Sequence, residues 1–143
     1  MFKFPSGKYI GEVTAPPEGF GDPQRMCSDD KGNVYVTNTG ELTIDVYAHD
    51  GTYIRTLSDH GVYPVDCAFD RSTGNLAVSS LLNVSDGPGN IAVYANATGS
   101  PTTSTSDSFL HFYFLSYMGK TGILYFDGEN YSNKFAYGSL GTG

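Results

Sequence analysis

Short apolar or β-branched runs, each closed by a polar turn, fill this chain. Val34-Tyr35-Val36-Thr37 and Leu76-Ala77-Val78-Ser79 are continuous runs of the kind that central strands show when both faces are covered. Gly32-Asn33 and Gly74-Asn75 precede them, and a Gly free to take positive φ beside a tolerant Asn is what a tight hairpin needs. Ile44–Ala48 and Ile91–Ala95 form a second matching pair, and Tyr53–Leu57 alternates as an outward-lying strand would. No stretch carries a helical apolar period, so the pattern predicts strands throughout.

The runs are organised as a repeat. Pro23–Val36 returns as Pro64–Val78, 41 residues further on. A period of about 40 residues built from short strands marks a β-propeller blade. The predicted fold class is therefore all-β: blades of four antiparallel strands in a partial propeller of about three blades. One domain spans 1–143, with an outer-strand region at 1–14, blade one at 22–59, blade two at 64–105 and an incomplete blade three at 109–140. Gly7–Val13 matches Gly51–Leu57, which makes the N-terminal region the outer strand of a blade, with Phe2-Lys3-Phe4 as the end of the strand before it. Gly122–Asp127 matches Gly32–Thr37, and Phe135-Ala136-Tyr137 follows as a third strand. Rings hold about four to eight blades, so this arrangement is expected to leave two apolar faces open. The expected partners are further copies of the chain, joined head to tail in a ring or a filament, or the remainder of a longer propeller.

Composition narrows the function classes. Eleven Tyr, nine Phe, 18 Gly and no Trp suit a turn-rich β domain. A net charge of −7, with eight scattered Lys and Arg, argues against nucleic acid and against an anionic membrane surface. There is no apolar run of about 18 residues, and the first residues show no signal-peptide h-region. Sequons at Asn83, Asn96 and Asn130 fit the exposed loops of a glycoprotein, so the expected location is extracellular or at the cell surface.

The segment Pro23 to Asn38, read as Pro-x-x-x-Cys-x-Asp-x-x-Gly-Asn-Val-Tyr-Val-Thr-Asn, resembles the NHL-repeat type of propeller, which bacterial secreted proteins also use. The similarity runs over about residues 7 to 140, strong in the first two blades and weak in the third, where Met118-Gly119-Lys120-Thr121 lacks the Asp. The resemblance implies an architecture, because similar propellers serve as scaffolds, protein binders and enzymes. Gluconolactonase-like hydrolases of related shape would imply a metal held by Glu, Asn and Asp at the channel mouth, and streptogramin lyase a His with an acidic partner. Here His49, His60 and His111 share no repeat position and show no ligand spacing, so no metal or cofactor is expected. The favoured function is a non-catalytic scaffold that self-assembles or binds a protein or glycan. The alternative is a hydrolase or lyase whose site is completed by missing blades or a second copy.

Individual residues carry further expectations. Arg25 and Asp66 stand two residues after the blade-opening prolines and are expected to pair across the channel mouth. Asp29 and Asp70 open the hairpins, where a carboxylate can accept backbone N–H bonds. On the repeat register Cys27 matches Ala68 and Cys67 matches Met26, so the thiols are expected on opposite faces, free and buried. Tyr9, Ile10 and Val13, with Phe109, Phe112 and Phe114, are the candidate subunit contacts; the polar stretch 97–108 reads as coil or a solvated outer strand.

Overall fold

The computed structural model describes residues 1–3, 5–119 and 121–141. Phe4, Lys120, Thr142 and Gly143, each part of a segment interpreted above, lie outside the described residues. A short ladder pairs β1 (Phe2–Lys3) with β2 (Lys8–Tyr9). Two four-stranded antiparallel sheets follow: β3 (Pro23–Ser28), β4 (Val34–Asn38), β5 (Thr43–Tyr47) and β6 (Tyr53–Leu57), then β7 (Val62–Phe69), β8 (Leu76–Asn83), β9 (Ile91–Tyr94) and β10 (Thr102–Ser104). The third sheet has three strands, β11 (His111–Tyr117), β12 (Ile123–Glu129) and β13 (Phe135–Gly141). Strand order follows chain order in each sheet, as in propeller blades, and β10 places an outer strand inside the polar stretch.

The hairpins form for the reasons legible in their residues. Gly32 and Gly74 take φ of +83° and +80°, a conformation that a side chain would strain. Asp29 accepts the backbone N–H groups of Lys31 at 2.9 Å and Asn33 at 2.8 Å, together with the Asn33 amide and the Tyr35 hydroxyl. Asp70 accepts the Ser72 N–H at 2.8 Å and the hydroxyls of Ser72 and Thr73. Burial pushes both carboxyls up, but these hydrogen bonds outweigh it and hold them below the usual carboxylate range.

Blades stack through two apolar seams. Tyr35, Ile44, Val46 and Leu57 of the first blade meet Leu76, Val78 and Tyr94 of the second. Ala77 and Ile91, on the opposite face of the second blade, meet Phe109, Phe112 and Leu124 of the third. We call the face turned to the next blade in chain order the forward face and the other the rear face. Polar contacts repeat with the seams: the Thr37 hydroxyl donates to the Val65 carbonyl at 2.9 Å, and Ser79, at the same repeat position, donates to the Tyr113 carbonyl at 2.6 Å.

The cysteines correct the sequence expectation. Cys27 and Cys67 form a disulfide across the first seam, with Cα atoms 5.7 Å apart, within the range a bridge requires. They do stand on opposite faces of equivalent strands. That parity points Cys27 forward from blade one and Cys67 rearward from blade two, so they meet between the sheets rather than diverge.

Candidate functional site: the open face of the third blade

The ladder register aligns the blades residue by residue. Tyr35 pairs with Val46, Ala77 with Val93 and Tyr125 with Ser139. Thr37 pairs with Ile44, Ser79 with Ile91 and Asp127 with Tyr137. Ile44, Ile91 and Tyr137 therefore occupy one forward-facing position, as do Tyr35, Ala77 and Tyr125.

Solvent treats the third blade differently. Ile44 and Ile91 are each 1% exposed, whereas Tyr137 is 81% exposed. Tyr35 is 2% exposed and Tyr125 45%. Phe114 and Phe135 are exposed beside them, and the four rings with Asp127 border a shallow cavity of about 320 Å³. The strands themselves are built as in a packed blade, with the rear side of β12 closed by Leu124 and Phe126. What distinguishes this face is the lack of a sheet over it among the described residues. Among the described residues β13 pairs with β12 alone, whereas the corresponding β5 and β9 each carry an outer strand. Its free edge is a row of backbone donors and acceptors suited to strand addition.

The rear face of the first blade is the counterpart. Met26 stands where the second blade has Cys67 and is 70% exposed against 5%. The outer part of this face is covered by the N-terminal segment: Phe20 stacks on Tyr47, and Asn38 receives the Gly21 N–H at 2.9 Å and donates to the Gly19 carbonyl at 2.8 Å. The Thr14 N–H donates to the Gly51 carbonyl at 3.2 Å, which sets the β1–β2 hairpin over the turn between β5 and β6, at the outer rim. Tyr9, Ile10 and Val13 are exposed there.

Other candidates fall in different places. Phe109 and Phe112 are buried in the second seam and are not available as subunit contacts; of that run, Phe114 is the exposed member. Arg25 and Asp66 form no ion pair. The Arg25 guanidinium lies 4.8 Å from the centre of the Phe114 ring, and the Asp66 carboxylate accepts the Leu115 N–H at 2.9 Å. Both inner-strand charges are thus spent on β11 rather than on each other. Asn83 and Asn130 fold their carboxamide oxygens onto turn N–H groups, of Ser85 and Gly87 and of Ser132 and Lys134, while Asn96 is exposed.

One cluster was not legible from the repeat. The Tyr113 hydroxyl donates to Glu129 at 2.7 Å, and His111 Nδ1 lies 3.2 Å from both Glu129 Oε2 and the Tyr113 oxygen. Partial burial and then the bond to Glu129 push the Tyr113 hydroxyl up to about 12, and the Tyr113 and His111 contacts hold the Glu129 carboxyl low. The cluster pins the start of β11 to the end of β12. No group of three or more His, Cys, Asp or Glu able to hold a metal occurs among the described residues.

No family model and no curated protein matches the chain. Among solved structures, a luciferin-regenerating enzyme is similar in fold, with a TM-score of 0.59 at 15% sequence identity. The match covers 85% of this chain and 45% of that one, so the chain spans less than half the length of this structural relative. With the stacked four-stranded sheets, that likeness makes the fold a partial β-propeller.

Proposed function

We propose that the chain is an NHL-repeat-type propeller scaffold, non-catalytic and working outside the cell, whose third blade seats further propeller blades. The observation that carries this reading is Tyr137: 81% exposed at a position that the other two blades bury under their neighbours. Exposed patches of this kind mark interaction sites. The engagement of Arg25 and Asp66 with β11 also favours a scaffold, since it uses the charged groups nearest the channel for packing. The Cys27–Cys67 disulfide supports an oxidising compartment. Asn96 is the sequon best disposed to take a glycan there.

Light scattering of the purified chain, combined with amide hydrogen exchange, tests the proposal. Association that rises with concentration and protects β13 amides supports it. A monomer whose β13 amides are as protected as those of β5 and β9 overturns it, because the face would then be stable uncovered.

A further inference from the structure

We infer that the seam between the first two blades carries a binding site for an oxyanion, a sulfate, phosphate or carboxylate group, anchored by Arg55. Both walls of the site belong to four-stranded blades, so it is independent of the third blade's open face and of the scaffold reading.

The three arginines of the chain are partnered differently. Arg71 forms an ion pair with Asp30 at 2.6 Å, and Arg25 lies over the Phe114 ring. Arg55 has neither kind of partner among the described residues. It stands on β6 opposite Val46 of the first seam, and its Nη2 donates to the Ala97 carbonyl of the second blade at 2.8 Å. Its Nε–H is buried and has no acceptor among the described residues. Arginine is seldom buried without a counter-ion, and one neutral carbonyl leaves the guanidinium charge unbalanced.

That guanidinium borders a cavity of about 490 Å³. Beside Arg55, blade one lines the cavity with Ser58 and His60, and blade two lines it with Thr98, Gly99 and Ser100. No carboxylate is among the lining residues, in a chain whose net charge is −7. Asp59, which lies between Ser58 and His60 in sequence, turns its Oδ2 to the Asn90 amide 2.6 Å away. The volume is in the range of small-molecule sites. A planar fork of N–H donors matches the paired oxygens of a carboxylate, sulfate or phosphate, and the hydroxyl and imidazole groups along the seam add further donors.

Nuclear magnetic resonance tests the site. The purified chain is titrated with sodium sulfate, sodium phosphate and sodium acetate, with ionic strength held constant by sodium chloride. The Arg55 Nε–H resonance reports on the guanidinium itself, and that of Arg71, whose ion pair is exposed, is the control. At least one of the three anions is expected to shift the Arg55 resonance and the Gly99 and Ser100 amides along one saturating curve. Half-saturation is expected at a concentration on the order of 1 mM, as two charge-assisted hydrogen bonds would give. Dextran sulfate separates the sources. Saturation at a lower concentration of sulfate groups than inorganic sulfate requires means an anion carried on a polymer, and the reverse means a free small anion; both support the site.

Arg55→Gln should abolish the response. Because this change also removes the contact with Ala97, Ser100→Glu is its companion: Arg55 stays in place and a carboxylate enters the same cavity. Half-saturation should then need about tenfold more anion, with an unchanged circular dichroism spectrum. Shifts that grow linearly and equally at Arg55 and Arg71 would overturn the site. So would saturation that survives Arg55→Gln, or that Ser100→Glu leaves unmoved. Association through the third blade is read separately by light scattering, so either inference can fail while the other stands.

Discussion

Cys27 and Cys67 join the first two blades at their innermost strands, although they stand at neighbouring rather than equal positions of the repeat. The bridge closes a loop with a sequence separation of 40 residues, and loop-closure entropy assigns about 4 kcal/mol to a bridge of that size. Replacing both residues by Ala should lower stability by an amount of that order, read from urea denaturation midpoints. The same loss should appear when the unmodified protein is unfolded in reductant. Equal midpoints with and without reductant would show that the bridge contributes nothing.

Thr37 and Ser79 are the polar counterparts of that bridge. Thr37→Val removes a buried hydroxyl from the Val65 carbonyl and the Arg25 N–H, and Ser79→Ala removes one from the Tyr113 carbonyl. Each should cost about 1–3 kcal/mol, since a buried acceptor is left without a donor. The two contacts lie in different seams, so the losses should add in the double variant to within about 0.5 kcal/mol. A large non-additive term in a denaturation cycle would mean that the seams are coupled through the middle blade.

The buried and hairpin carboxylates shape the acid side of the stability profile in two opposite ways. Asp29 and Asp70 are held low in the folded chain, so the stability they lend is present above the ordinary carboxylate value of about 4 and is lost as pH falls through their lower folded values. Asp45 and Asp59 are raised, chiefly by burial, so their contribution is fully present below that ordinary value and is lost as pH rises through their higher folded values. Acidification from neutral should therefore first stabilise the chain slightly and then unfold it below about pH 4. Thermal midpoints across pH check this, and Asp45→Asn should flatten the first part of the curve. A midpoint that falls steadily from neutral pH would contradict the assignment.

The repeat made the strands and Gly-Asn hairpins of the first two blades legible in the sequence, because apolar runs and Gly-Asn turns are local signals; the expected outer strand Gly7–Val13 is instead the two-residue strand Lys8–Tyr9, paired with Phe2–Lys3 outside the blades. Seam contacts were harder. The parity of Cys27 and Cys67 was readable, but its meaning depends on the sheets facing each other rather than on either strand alone. Arg25 and Asp66 looked like partners because they share a repeat position. The long Arg25 side chain instead reaches Phe114 on the third blade, a contact between non-adjacent blades that a repeat alignment does not encode. His111, Tyr113 and Glu129 left no trace in the repeat because no other blade has them.

Ile91 and Tyr137 hold the same repeat position, one under a neighbouring sheet and one open, and this gives a paired measurement. Ile91→Ala empties part of the second seam and should cost about 2–5 kcal/mol at any protein concentration. Tyr137→Ser touches an uncovered face and should change the stability of the dilute monomer by no more than about 0.5 kcal/mol. At concentrations where the unmodified chain associates, the Tyr137 variant should remain monomeric by light scattering, because it removes the most exposed large ring on the open face and one that bulky apolar residues replace in both covered blades. Far-ultraviolet circular dichroism should be the same for the two forms. Dilute Tyr137→Ser that loses as much stability as Ile91→Ala would show that the ring is already covered, and association unchanged by the substitution would show that the face is not where copies meet.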